Sequence, residues 1–123
     1  MEKVTVYQFD VKGQTLTLDF GMYCWDLFCE RMHASPSRIS EVFTGPQTFK
    51  AMRCLIVCGV EANAYLRDLP NSATEADVTK IINDSPEIMG KMVRVAFETF
   101  IALNQKIAGS GDKTTLTEFK AEV

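Results

Sequence analysis

The sequence predicts a mainly α domain with an N-terminal β-hairpin, an α+β fold in which a small helical domain surrounds one central buried helix. Three observations carry this. Residues 46–69, PQTFKAMRCLIVCGVEANAYLRDL, read as a helix whose charged groups Lys50, Arg53, Glu61 and Asp68 gather in one narrow band at about 100° per residue, leaving the rest apolar or small. Ahead of it lie two β-branched and aromatic stretches that alternate in polarity, residues 4–11 and 14–20. Behind it, residues 86–107 repeat the helical period with a second, almost all-round apolar surface.

A chain of 123 residues suits a single domain with one modest core, here residues 1–107 with the hairpin at about 4–20, followed by a tail at 108–123 expected to be mobile. The net charge of -3, with 13 basic and 16 acidic residues evenly mixed, offers no footprint for nucleic acid or an anionic membrane. The opening MEKVTVYQFD has no apolar core of a signal peptide. The apolar run from Cys54 to Val60 spans 7 residues. A bilayer needs about 20. Both features lead to the expectation of a cytoplasmic protein, in which the four cysteines are free thiols.

In the hairpin, Lys12-Gly13 supplies the turn, with Gly13 able to take positive φ. A two-residue loop pairs Phe9 with Leu16, Tyr7 with Leu18 and Thr5 with Phe20 on one apolar face, and Gln8 with Thr17 and Asp10 with Thr15 on the other; a bulged three-residue turn is the alternative. A lone hairpin is marginal in water, so it must lie on helices or pair with a strand of another chain. Asp19 is placed to cap a helix over residues 21–33, in which Trp25, Phe28, Cys29 and Met32 share the inward face. Ser35-Pro36 opens a short helical turn carrying Ile39, Val42 and Phe43, and Pro46 repeats the signal for the central helix. After Pro70, Thr74 with Glu75 and Asp77 starts a short helix with the stripe Val78, Ile81 and Ile82. Ser85-Pro86-Glu87 opens the last helix. The closing TLTEFKAEV has the pattern of a frayed helix at most, with Leu116, Phe119 and Val123 on one side.

On the last helix, Met89, Val93, Ala96, Phe100, Leu103 and Ile107 form one stripe for a core, and Phe97 and Ile101 fall outside it. Two such greasy helices exceed what one small core easily covers, and surplus apolar surface points to self-association or a protein target. The candidate partner-binding residues are Val93, Phe97, Phe100, Ile101 and Asn104. The simpler alternative is that the hairpin and short helices cover both long helices.

Catalytic chemistry has no visible home. Cys24, Cys29, Cys54, Cys58 and His33 are zinc-ligand types, yet their spacings of five and four inside helices differ from the two to four residues, on turns, of structural zinc sites. They read as buried small hydrophobes, with no metal and no cofactor expected. His33 sits at a helix C-terminus, where a solvated cap is expected. The sequence contains no glycine-rich phosphate loop, GxSxG or HExxH. The chain is therefore read as a non-enzyme, and Lys50, Arg53, Glu61 and Asp68 as a solvated stripe.

These segments together resemble the tail assembly chaperones of long-tailed phages and their prophage relatives. The resemblance runs over roughly residues 4–107. Its points are a strand pair ending in FDVKGQTLTLDFG, the helix FKAMRCLIVCGVEANAYLRD, then SATEADVTKIIND, and a final helix PEIMGKMVRVAFETFIALNQ with a loose tail. It implies a non-enzymatic cytoplasmic homo-oligomer that coats the tape measure protein, keeps it soluble, and helps tail tube protein polymerise around it. In many such phages a ribosomal frameshift near the end yields a longer product, and the tail of this chain suits that junction. The family has no invariant ligand motif, so no individual residue role carries over. Two alternatives follow from other features: a small ligand- or metal-binding regulatory protein built on Tyr23, Cys24, Trp25, Cys54 and Cys58, or a structural subunit of a phage particle.

Overall fold

The computed structural model describes residues 5–70 and 74–110, with side chains as far as residue 105 in the last helix. The hairpin comes first, β1 (Val6–Val11) and β2 (Gln14–Asp19), antiparallel in the register read from the sequence, with Tyr7 opposite Leu18 and Phe9 opposite Leu16. The pairing extends one step further, since the Phe20 amide donates to the Thr5 carbonyl at 2.8 Å. Lys12 and Gly13 both hold positive φ, 52° and 79°. Two such residues make the tight primed turn whose twist matches that of the strands, and no bulge is needed.

Five helices follow among the described residues: α1 (Met22–Met32), α2 (Ile39–Val42) after a 3-10 turn at Pro36–Arg38, α3 (Thr48–Leu66), α4 (Glu75–Asn83) and α5 (Pro86–Ser110). Helix α3 is the hub. It touches β2, α1, α4 and α5, and ten of its residues are buried, including Leu55, Ile56, Val57 and Cys58. Outside α3 the core includes Leu18 and Phe20 of the hairpin segment, Phe28 of α1, Val78 of α4 and Met92 of α5, all 0% exposed. Each such side chain contributes roughly 1.5–3 kcal/mol by leaving water.

The hairpin lies directly on α3 because Gly59 lets it. A Cβ there would stand 2.9 Å from Phe20 Cε1 and 3.0 Å from Leu18 Cδ2. The strand therefore approaches the helix backbone at closer range than any side-chain-bearing residue permits.

Local signals explain most boundaries. Ser35 accepts a hydrogen bond from the Ser37 amide ahead of Pro36. Thr74 and Asp77 form a full capping box at the start of α4: the Thr74 hydroxyl accepts from the Asp77 amide, and the Asp77 carboxylate accepts from the Thr74 amide. His33 closes α1 in the left-handed region, φ 53°.

Four expectations are corrected. Asp19 does not cap α1, whose cap residue is Gly21; its carboxylate is 3% exposed and accepts from the Gly21 amide at 2.8 Å and from Arg67 Nη1 at 2.8 Å. It ties the end of β2 to the C-terminus of α3. Pro46 precedes the central helix without opening it, since α3 starts at Thr48, after the uncapped Gln47. The charges on α3 are not a simple solvated stripe, because Arg53 pairs with Glu75 at 3.3 Å and Glu61 takes both ends of the Arg31 guanidinium at 2.5 and 2.8 Å. Finally, α5 runs through Ala108 to Ser110, past the expected start of the tail. The expected helix in TLTEFKAEV and the mobility of the tail lie outside the described residues.

Candidate functional site

An aromatic cluster joins α1, α2 and α5 and fixes the surface that they share. Trp25 is its centre, 4% exposed, with ring centroids of Phe100 at 4.7 Å, Phe97 at 5.7 Å and Phe28 at 5.7 Å. Phe43, just after α2, stacks on Phe28 at 5.3 Å and meets Phe97 edge-on at 4.9 Å. Such contacts hold rings in tilted and edge-to-face geometries, each contributing about 0.5–1.5 kcal/mol beyond burial. The three helices are thereby locked at one relative position.

On the outer side of this cluster lies an apolar groove of about 170 Å³. Met22, Trp25 and Cys29 come from α1, Ile39 from α2, and Phe100 and Leu103 from α5. Asp26 and Asn104 supply polar groups from the two flanking helices. Met22 stands 64% exposed, so the groove is open to a partner along α1.

The five candidate residues of α5 divide sharply. Phe100 and Asn104 line the groove. Ile101 points outward and is 54% exposed. Val93, by contrast, is only 8% exposed and belongs to the core. Phe97 is also corrected: it lies under Trp25 and Phe43 and is part of the framework rather than free surface. Val93 keeps its place in the core stripe, and Phe97 is covered from other elements, while the buried stripe turns the other way to take in Met92 at 0% and Thr99 at 4% exposure. Thr99 is tolerated there because its hydroxyl donates to the Val95 carbonyl at 2.8 Å and lies 3.1 Å from the Tyr7 hydroxyl.

As groove lining, sequence reasoning missed Met22, Asp26, Pro36 and Ile39, and it gave Trp25, Cys29 and Leu103 to inward faces. A signal existed on α1, where Met22, Trp25, Asp26 and Cys29 stand at i, i+3, i+4 and i+7, one face of a helix. Ile39 had none, because the position of α2 depends on Phe43 reaching Phe28 and Phe97.

Of the four cysteines, Cys29 lines the groove, and Cys24, Cys54 and Cys58 lie away from it. Cys24 is fully buried, and burial pushes its thiol well above the usual range, with the Asp19 charge adding to the effect. Cys29 is half-buried and its thiol is raised for the same reason, helped by Asp26. Cys54 and Cys58, one turn apart on α3, bring their sulfurs to 3.9 Å. The contact with Cys58 lowers the Cys54 thiol, while the same contact and burial raise that of Cys58. Arg31 reaches the same spot, with Nη1 3.8 Å from Cys58 Sγ, and its bidentate grip holds the Glu61 carboxyl below the usual glutamate range. Among the described residues, no three His, Cys, Asp or Glu side chains converge as a metal site. His33 is exposed at the end of α1. Nor is any helix among the described residues long and apolar enough to cross a membrane.

No protein-family model, curated protein or solved structure matches this chain. The groove and its residues are therefore the ground on which a function must be argued.

Proposed function

We propose that this protein is a tail assembly chaperone of the long-tailed phage type, a non-enzymatic cytoplasmic protein that binds an apolar helical stretch of a tape measure protein in the groove between α1 and α5. Tail tube protein then assembles around the held client, and self-association of the chaperone extends the coat. The observation that carries this reading is the groove itself, walled by Met22, Ile39, Phe100 and Leu103. Apolar knobs of an amphipathic helix, at i, i+3 and i+4, fit a shallow cleft between two helices.

The size of the groove suits protein side chains better than a small-molecule ligand. Ligand clefts usually enclose about 300–1,000 Å³, and this groove holds about 170 Å³, room for one or two side chains. Further apolar residues are exposed, Phe49 at 75%, Tyr65 at 66% and Leu69 at 52%. The test is a pull-down with the tape measure protein encoded beside it, tagged in either order. Capture by the wild type and loss of capture with Leu103→Glu support the reading, and absence of capture in both orders sinks it.

A further inference from the structure

We propose that Cys54 and Cys58 form a two-thiolate site for a soft cation of the monovalent-copper class, held between the two sulfurs on the α1-facing side of α3. The pair is arranged for a bridging atom rather than for a disulfide. Residues four apart on a helix keep their Cβ atoms about 5–6 Å apart, and a disulfide needs about 3.5–4.5 Å. Closing that gap would unwind α3 at Leu55, Ile56 and Val57, three buried residues of the core. The sulfurs themselves already lie 3.9 Å apart. Metal–thiolate bonds of about 2.3 Å span any separation up to about twice that length, so an ion can join both sulfurs without moving the helix.

The ligand set selects the ion. Thiolates are soft donors and favour monovalent copper over oxygen-seeking cations. Structural zinc asks for four ligands, and no third His, Cys, Asp or Glu among the described residues completes such a set. Binding removes the two thiol protons, and the complex of one monovalent cation with two thiolates carries one net negative charge. Arg31, already paired with Glu61, turns Nη1 toward Cys58 Sγ at 3.8 Å and offers the bound thiolate a hydrogen-bond donor. Access runs through Cys54, which is half-buried, because Cys58 behind it is 0% exposed. None of these groups lines the α1–α5 groove, so the site stands or falls separately from the chaperone reading.

The test uses the reduced full chain, titrated without oxygen with monovalent copper alone against a chromophoric copper(I) chelator. The expected result is one equivalent of copper taken from the chelator. Cys54→Ser and Cys58→Ser should each weaken uptake by about 100-fold or more, beyond what changes in the outer shell of a metal site cost. Cys29→Ser, which removes a half-buried thiol of α1 outside the pair, should leave uptake unchanged. If Cys58→Ser fails to fold, Cys54→Ser decides alone, since its position is half-exposed. A wild type that withdraws no copper, or a Cys54→Ser variant that binds as the wild type does, overturns the proposal.

Discussion

Replacing Gly59 with alanine would put a methyl group into the contact that joins the hairpin to the central helix. The new Cβ meets Phe20 Cε1 at 2.9 Å, Leu18 Cδ2 at 3.0 Å and Leu18 Cβ at 3.1 Å. Neither neighbour has room to retreat, because both are 0% exposed and Leu18 sits mid-strand opposite Tyr7. Alanine gains about 1 kcal/mol over glycine in helix propensity. Overpacking a filled core costs about 1–3 kcal/mol, and three short contacts, one to a Cβ fixed by its backbone, place this site at the upper end. The net loss is about 1–2 kcal/mol, or a fall in melting temperature of roughly 4–8 °C for a chain of this size. Gly90 is the internal control: it lies in α5, is exposed, and a Cβ there meets nothing within 4 Å. Gly90→Ala should gain about 0.5–1 kcal/mol. Urea unfolding followed by far-UV circular dichroism measures both. If Gly59→Ala stabilises the protein as Gly90→Ala does, the hairpin does not rest on α3 as described.

Substitutions at four further sites probe the framework, the exposed face of α5 and the charges. Phe97→Ala should cost about 2–3 kcal/mol, since the ring fills the space between Trp25 and Phe43. Ile101→Asp, at a 54% exposed position, should change stability by less than about 0.5 kcal/mol while reducing self-association in light scattering. Arg67→Ala leaves the buried Asp19 carboxylate with the Gly21 amide as its remaining hydrogen-bond donor among the described residues. A destabilisation of about 1–3 kcal/mol in urea unfolding follows, and Asp19→Asn in the same background should recover part of it. Glu61 has its carboxyl lowered from 4.5 by Arg31. The pair's contribution is thus fully present above pH 4.5 and is lost as pH falls through the folded-state value. In acid unfolding, Glu61→Gln should flatten the decline of stability below that pH, and an unchanged slope would show that the bridge is not formed in solution.

Much of this architecture was legible in the sequence, and the reasons for the failures are specific. The register of the hairpin follows from a two-residue polarity period, which a slip by one residue would reverse. Thr74 and Asp77 announce their capping box because both partners lie within one turn. Asp19 misled because a carboxylate near a helix start suits a cap, whereas its strongest partner, Arg67, lies 48 residues away. Phe97 looked free on a helical wheel because a wheel contains only α5, and its cover comes from Trp25 and Phe43. Thr99 carries no apolar signal, yet it is buried because a helical threonine can satisfy its hydroxyl on its own backbone. The same limit applies to the groove: Phe100 and Asn104 were among the candidates, but Ile39 joins them only through the packing of a four-residue helix. Helix α5 outran its expected end because Ala108 favours helix, and Gly109 and Ser110 disfavour it without forbidding it.

The central claim is that the α1–α5 groove keeps an apolar helical client in solution. The most direct measurement is the soluble fraction of the tape measure protein when it is expressed alone, with this protein, or with its Leu103→Glu variant. The client should stay soluble only beside the wild type and sediment in the other two cases. A client whose solubility is the same in all three would contradict it.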